Sequence, residues 1–129
     1  METFENFAAT LGNDCQVELH SGGMAGRAGG YYVHLPNGFV VSIQFWPGTY
    51  STPHNTWLAL LKHPNWETIL PQRDWSVDAT HAEVAVWQGS GGCGWTIEGE
   101  RLERGLDPAS DLTPEEVREV IDRFRKMVL

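Results

Sequence analysis

The residues with the greatest capacity for recognition follow the apolar segment 39–45, FVVSIQF. Tryptophan and tyrosine present large flat surfaces with few torsions to freeze, and amides and imidazoles add hydrogen-bonding selectivity. The pattern therefore predicts a recognition loop at a strand end, which stacks on a planar ligand such as a nucleobase or on a partner's side chain. The alternative is that the aromatic rings only close one end of the core. The candidate binding residues are Gln44, Trp46, Tyr50, His54 and Asn55.

A second candidate group is defined by alternation along several strand-like segments. Successive side chains of a strand point to opposite faces, so polar residues two apart share a face. The resulting face mixes acids, histidines and aromatic rings, which is typical of binding surfaces and also of ordinary solvated sheet faces. Its members are Glu18, His20, Tyr32, His34, Glu83, Trp87 and Glu98.

No spacing in the sequence matches a catalytic or metal-binding motif. The chain has no HExxH pair, no GxSxG elbow and no CxxC pair, and its two cysteines, Cys15 and Cys93, are far apart in sequence. We therefore expect no catalytic residue, no metal and no cofactor. The alternative is a small hydrolase. It would use either His54 as general acid or base, or a sheet face on which His20, His34 and Glu83 converge.

The elements that must position these residues begin with a hairpin. Pro-Asn-Gly at 36–38 separates two β-rich runs, and Asn-Gly supplies the positive φ values that a tight turn needs. A second, glycine-rich hairpin is predicted over 81–100, and a single strand over 15–20. The apolar face of these strands is predicted to carry Val17, Leu19, Val33, Val41, Ile43, Val84 and Val86.

A helix over 112–129 is predicted to cover that apolar face. Thr113 can cap the helix, Pro114 suits the first helical position, and Glu116 completes a capping box. An apolar stripe follows at helical spacing, formed by Val117, Val120, Ile121, Phe124 and Val128. The predicted fold is α+β, with an antiparallel sheet of four to six strands and one C-terminal helix packed on one face.

The 129 residues are expected to form a single α+β domain. Within it, residues 1–14 are predicted to be an arm or edge strand. Residues 55–75 are predicted to be an inserted irregular or helical segment, because they carry a short helical pattern that a proline interrupts.

The charge of the chain limits the kinds of partner. A formal net charge of −8 disfavours direct nucleic-acid binding, because an acidic protein repels phosphates. The same charge attracts a basic protein surface, including one built to hold nucleic acid.

The sequence has no secretory signal pattern and no apolar run that could span a bilayer. We therefore expect a cytoplasmic protein that does not contact membranes, with a homodimer left open.

Three segments together resemble a group of small proteins encoded by bacteriophages and prophages. They are NGFVVSIQFWPGTYS, AEVAVW and LTPEEVREVI, with a tryptophan strand between the last two, and together they cover about half of the chain. The group combines an SIQF-like strand, a Gly-x-Tyr turn, an AE-aliphatic-A-W strand and a closing helix with Pro-Glu-Glu-Val. This chain departs from that pattern by inserting TWLALLKHPNWETILPQRDW after the turn.

The resemblance implies a phage protein acting in the host cytoplasm, and it carries no settled activity with it. Small acidic phage proteins often counter host defence. We therefore expect a non-enzymatic binding protein that blocks a host defence protein with a basic surface, as an anti-CRISPR inhibitor does, or that sequesters a small nucleotide signal. Besides the hydrolase, the remaining alternative is a phage accessory protein without a ligand.

Overall fold

Six strands form one antiparallel sheet, and a C-terminal helix packs on it. The computed structural model describes residues 2–20, 29–45, 58–69, 75–77, 79–89 and 93–127. The strands are β1 (Gln16–His20), β2 (Gly30–His34), β3 (Phe39–Gln44), β4 (Ala82–Gln88), β5 (Gly94–Trp95) and β6 (Ala109–Leu112), and the helices are α1 (Trp66–Ile69) and α2 (Pro114–Arg125), with short 3-10 turns at Phe7–Thr10 and Trp75–Val77. The predicted α+β class is confirmed.

The strand order is β1-β2-β3-β4-β5, and β6 pairs with the beginning of β4 beside β5. Every pair is antiparallel. Within the described part of the chain, β1 therefore forms a free edge of the sheet. The central strands β2, β3 and β4 pair over five or six residues each, and they position Tyr32, Val40 and Trp87.

The predicted Pro-Asn-Gly hairpin joins β2 to β3. The Leu35 amide donates to the Phe39 carbonyl at 2.9 Å, and Gly38 adopts a φ of 95°, a region that glycine enters without steric cost. The Asn37 side-chain amide donates to the carbonyls of Phe124 and Met127 at 2.7 and 3.1 Å. The turn therefore also satisfies carbonyl groups at the C-terminal end of α2.

The start of α2 has the predicted capping box. The Glu116 amide donates to Thr113 Oγ1 at 3.2 Å, and the Thr113 amide donates to Glu116 Oε1 at 3.1 Å. The helix lays its apolar stripe on the sheet, where the Phe124 and Phe39 rings lie 4.9 Å apart. The predicted core is confirmed for Val33, Val41, Ile43, Val84, Val86, Val117, Val120, Ile121 and Phe124, all of which are buried in one cluster. Residue 128 lies outside the described part.

Leu19 does not belong to this core, and its predicted burial is wrong. Its side chain is 61% exposed, although its neighbour Val17 on the same face is half-buried. The reason is its position on the free edge strand, since α2 packs mainly on β3 and β6. The period-two pattern identifies the correct face but does not indicate how far the helix reaches across it.

Residues 2–14 form neither an arm nor an edge strand, so that prediction is also wrong. Phe4 and Phe7 are buried, and the segment between them leads into the 3-10 turn Phe7–Thr10. The Phe4 ring stacks on Phe45 at 5.4 Å, and the Phe4 amide donates to the Ala79 carbonyl at 2.9 Å. Two aromatic side chains three residues apart thereby fill one end of the core, which holds the segment against the sheet.

The predicted insertion at 55–75 is described over residues 58–69 and at Trp75. It contains the four-residue helix α1, and Trp66, Leu60 and Leu61 pack half-buried against the core. Trp75 is fully buried at the beginning of the next 3-10 turn. The described part therefore agrees with an irregular segment that carries short helical pieces.

One arginine of α2 ties the N-terminal segment to the helix. Arg118 Nη1 donates to Glu2 Oε1 at 2.9 Å, Nε donates to Thr10 Oγ1 at 3.0 Å, and the guanidinium lies 5.1 Å from the centre of the Phe7 ring. The hydrogen bond from Arg118 holds the pKa of Glu2 below its ordinary value of 4.5.

This ion pair predicts a small pH-dependent contribution to stability. Because the folded-state pKa of Glu2 is lowered, its contribution is present above about pH 4.5 and is lost as the pH falls through the folded-state value. We expect Glu2→Gln to be less stable than the wild type at neutral pH, with the difference closing at lower pH. Urea unfolding across this range measures it, and a difference that stays constant with pH contradicts the assignment.

Candidate functional site

Alternate residues of the strands belong to the outer face of the sheet, the face away from α2, and the strand register arranges their backbone positions in rows. Glu18 pairs with Tyr32, and Tyr32 pairs with Ser42, so these residues share one row. The neighbouring row places His34 opposite Val40. The first row is Glu18, Tyr32, Ser42 and Ala85, the second is Gln16, His34, Val40 and Trp87, and the third is His20, Gly30, Gln44 and Glu83.

Two aromatic side chains meet across the middle of the outer face. The Tyr32 ring from β2 and the Trp87 ring from β4 lie 6.0 Å apart at an interplanar angle of 68°, an edge-to-face arrangement favoured by the ring quadrupoles. Their contact spans β3, where Val40 and Ser42 are only 7% and 1% exposed. The two rings therefore help to shield the centre of a face that faces away from the helix.

A pocket of about 470 Å³ opens beside these rings. Its volume lies within the range of sites that hold small molecules or single side chains. Gly38 and Gly89 also line it, and apart from each glycine's adjacent residues no atom lies within 4 Å of the position that a Cβ would occupy. The lining residues are Glu18, Tyr32, His34, Leu35, Gly38, Phe39, Val40, Trp87 and Gly89. We call this feature the outer pocket.

The polar edge of the outer pocket is formed by Glu18 and His34. Their nearest atoms, Glu18 Oε1 and His34 Nε2, are 3.8 Å apart, and their side chains are 67% and 44% exposed. This separation exceeds a hydrogen-bond length, so neither group occupies the other's bonding capacity. The pocket thus combines an apolar floor, formed by Leu35 and Val40, with the rings of Tyr32 and Trp87 and the exposed carboxylate of Glu18.

The structure brings together four residues of the second predicted group: Glu18, Tyr32, His34 and Trp87. Glu83 lies on the same face but in another row, opposite Gln44. The backbone of His20 pairs with Gly30, which places this residue in the third row. The alternation of the sequence thus predicted the face, and the register then decides which members of the group are neighbours.

Glu98 does not lie on the outer face, so its predicted position is wrong. β5 ends at Trp95, and the chain then turns through Gly99, which has a φ of 107°. Arg123 of α2 donates to the Ile97 carbonyl at 2.5 Å, which holds this turn beside the helix. Glu98 consequently lines a groove with residues of α2, including Glu116 and Glu119.

The first predicted group falls mostly outside the described residues. Gln44 ends β3 half-buried, and its side-chain amide donates to Ser42 Oγ at 3.3 Å. Trp46, Tyr50, His54 and Asn55 lie outside the described ranges. The recognition loop therefore stays a prediction, and the outer pocket provides the described site.

The described geometry gives no support to a hydrolase face of His20, His34 and Glu83, and the alternative that uses His54 lies outside the described residues. His34 and Glu83 lie two strands apart, and the first row lies between the second row, which holds His34, and the third row, which holds Glu83. Strand spacing converts this separation to roughly 16 Å. Over the described ranges, no group of three or more His, Cys, Asp or Glu residues is placed to hold a metal ion.

No helix in the described ranges is long and apolar enough to cross a membrane.

The positive charges of α2 are engaged away from the outer pocket. Arg118 contacts Glu2, Arg125 contacts Asp14 at 3.2 Å and Asp122 at 2.8 Å, and Arg123 bonds a backbone carbonyl. No lysine or arginine appears among the described residues that line the outer pocket. Among the described lining residues, Glu18 therefore supplies the carboxylate and His34 the imidazole, with no lysine or arginine beside them.

Comparison of the chain with models of protein families, with curated proteins and with solved structures finds no match. The resemblance to the phage group therefore stays a prediction.

Sequence reasoning missed the apolar part of the outer pocket. Leu35, Phe39 and Val40 flank the predicted turn, and Gly89 follows β4. The Asn-Gly signal located that turn, but the pocket depends on the pairing of Val40 with Trp87. Such a pairing between strands distant in sequence leaves no signal in a single chain's alternation.

Proposed function

We propose that this chain is a non-enzymatic binding protein whose outer face covers a basic surface of another protein. In the phage setting that the resemblance implies, the target is a host defence protein, and the chain acts as an inhibitor in the manner of an anti-CRISPR protein. The observation that carries the binding proposal is the outer pocket, whose lining combines the paired rings of Tyr32 and Trp87 with the exposed carboxylate of Glu18.

The composition of the pocket supports a protein partner. Binding energy at protein interfaces concentrates in a few aromatic and charged anchors that fill pockets. Tyr32 and Trp87 hold each other by an edge-to-face contact, so little side-chain freedom is lost when a partner packs on them. The apolar floor and open rim offer a place for one inserted side chain.

The electrostatics favour the inhibitor over the nucleotide-sequestering alternative. Sites that hold phosphates supply lysine, arginine or a helix N-terminus, whereas the described lining of the outer pocket carries Glu18 and no lysine or arginine. The net charge of −8 acts in the same direction at longer range. A basic protein surface therefore suits this face better than an anionic nucleotide.

The proposal predicts that partner capture depends on the pocket. Tagged wild-type protein is incubated with lysate of a bacterial host, and the affinity of the captured protein is then measured for variants. We expect Trp87→Ala to weaken binding by about 30-fold or more, the equivalent of losing a central anchor. Glu18→Gln is expected to slow association at low salt, since charge complementarity mainly steers the encounter.

Two controls isolate the pocket. Glu119→Gln removes the same charge from the exposed side of α2, and Leu19→Ala trims an exposed apolar side chain from β1. Both variants are expected to bind like the wild type. Thermal unfolding verifies that Trp87→Ala is folded. Undiminished capture by a folded Trp87→Ala, a co-purified nucleotide, or turnover of a substrate would each contradict the proposal.

A further inference from the structure

We infer that the outer pocket receives an arginine side chain of the partner, with the guanidinium against Trp87 and Tyr32 and paired to Glu18. The inference rests on the proposed function and names the anchor that the partner presents.

The sign of the charge selects a cation. Glu18 lies at the pocket edge with its side chain 67% exposed, and the described lysines and arginines do not line the pocket. Arg118, Arg123 and Arg125 are bonded on the helix side of the sheet. An incoming cation therefore meets an attractive carboxylate and no lysine or arginine among the described lining residues, with the His34 imidazole beside that carboxylate.

The carboxylate of Glu18 has bonding capacity to offer. The His34 imidazole lies 3.8 Å from this carboxylate, beyond hydrogen-bond length. A carboxylate can accept two parallel N–H bonds from a guanidinium, a geometry that an ammonium group does not match. Glu18 can thus form the bidentate pair without first breaking a bond within this part of the protein.

The aromatic rings distinguish arginine from lysine. A guanidinium is planar and weakly hydrated, so it stacks on an aromatic face at a smaller desolvation cost than the compact, strongly hydrated ammonium of lysine. Trp87 provides the most favourable ring for such a contact, and Tyr32 fixes it from the side at 6.0 Å. The apolar floor at Leu35 and Val40 suits the aliphatic stem of arginine.

The rim of the pocket leaves room for the partner's main chain. Gly38 and Gly89 both have positive φ values, 95° and 64°, and have open space where a side chain would begin. Two lining residues of the pocket thus carry no side chain. An arginine carried on a loop or strand can enter there while its backbone passes over the glycines.

The test uses a short probe on the intact protein. Acetyl-Gly-Arg-Gly-amide is titrated into the isotope-labelled chain, and the Trp87 indole and the Gly38 and Gly89 amides are followed by NMR. Matched peptides carry lysine or citrulline, the latter being an uncharged analogue of arginine. We expect saturable shifts at these three positions with the arginine peptide, and affinities at least about tenfold weaker with citrulline and clearly weaker with lysine.

Two variants and one concentration series complete the experiment. Glu18→Gln is expected to lower the affinity for the arginine peptide by about tenfold, whereas Glu119→Gln is expected to leave this affinity unchanged. Equal binding of citrulline, equal binding of lysine, an undiminished Glu18→Gln or the absence of shifts at the pocket would each overturn the inference. So would shifts at the pocket on concentrating the protein alone, which would identify a second copy as the occupant, or stronger shifts with adenosine monophosphate.

The outcome separates this inference from the proposed function. If the arginine peptide does not bind but Trp87→Ala still weakens capture of the partner, the partner uses another anchor and only the inference is wrong. If the peptide binds as expected while partner capture is indifferent to Trp87, the arginine site is correct and the proposed inhibitor surface is wrong.

Discussion

Replacement of Phe124 by alanine is expected to lower the free energy of unfolding by about 3–5 kcal/mol, the usual cost of emptying a large aromatic site in a core. The Phe124 side chain is 0% exposed and contacts two rings, Phe39 at 4.9 Å and Trp95 at 6.2 Å. It is the point where α2 meets both β3 and β5. Its loss therefore removes buried area and two aromatic contacts together.

Urea unfolding monitored by circular dichroism measures the effect of Phe124→Ala. The matched control is Glu119→Ala on the same helix, which is exposed and should change stability by less than about 0.5 kcal/mol. A loss of less than about 0.5 kcal/mol for Phe124→Ala itself would reject the packing of α2 on the sheet.

Phe4→Ala is expected to have a comparable effect, about 3–5 kcal/mol, although the residue is almost at the N-terminus. Its ring is 0% exposed and lies 5.3 Å from Phe7 and 5.4 Å from Phe45. The Tyr31 hydroxyl also donates to its backbone carbonyl at 3.0 Å. Truncation would leave a cavity beside the Phe7 and Phe45 rings, which cannot collapse without moving the 3-10 turn and the end of β3 that hold them.

The control for Phe4→Ala is the neighbouring Glu5→Ala, whose side chain is exposed. Terminal residues usually fray, and mutations there usually have little effect on stability. A Phe4→Ala protein with wild-type stability would mean that residues 2–14 are such a frayed terminus, and would contradict the aromatic cluster at this end of the core.

The parts of the fold that the sequence predicted correctly depend on local signals. The capping box at Thr113 and the Asn-Gly turn involve residues within a few positions of one another, so their physical causes are visible in a short window. The apolar stripe of α2 is equally local. These elements form because backbone groups nearby in sequence are satisfied or turned by adjacent side chains.

The wrong predictions concern contacts between distant segments. Phe4 is buried because it meets Phe45, and Glu98 leaves the outer face because Arg123 holds its turn. Leu19 has the alternation of a core residue but lies on the edge strand beyond the reach of α2. The candidate site was predicted to the same extent: the alternation identified Glu18, Tyr32, His34 and Trp87, while the register made them neighbours.

Among the described strands β1 is the edge of the sheet, and this position gives Glu18 a second consequence, which concerns self-association. An exposed edge strand can pair with the same strand of another copy and so begin fibre growth. If two β1 strands paired antiparallel about a two-fold axis at Glu18, Val17 would face Leu19 favourably, but the two Glu18 carboxylates would stand directly opposite each other. Like charges opposed in this way destabilise the pair. In this register, the acid that lines the pocket thus also opposes pairing of β1 with a second copy.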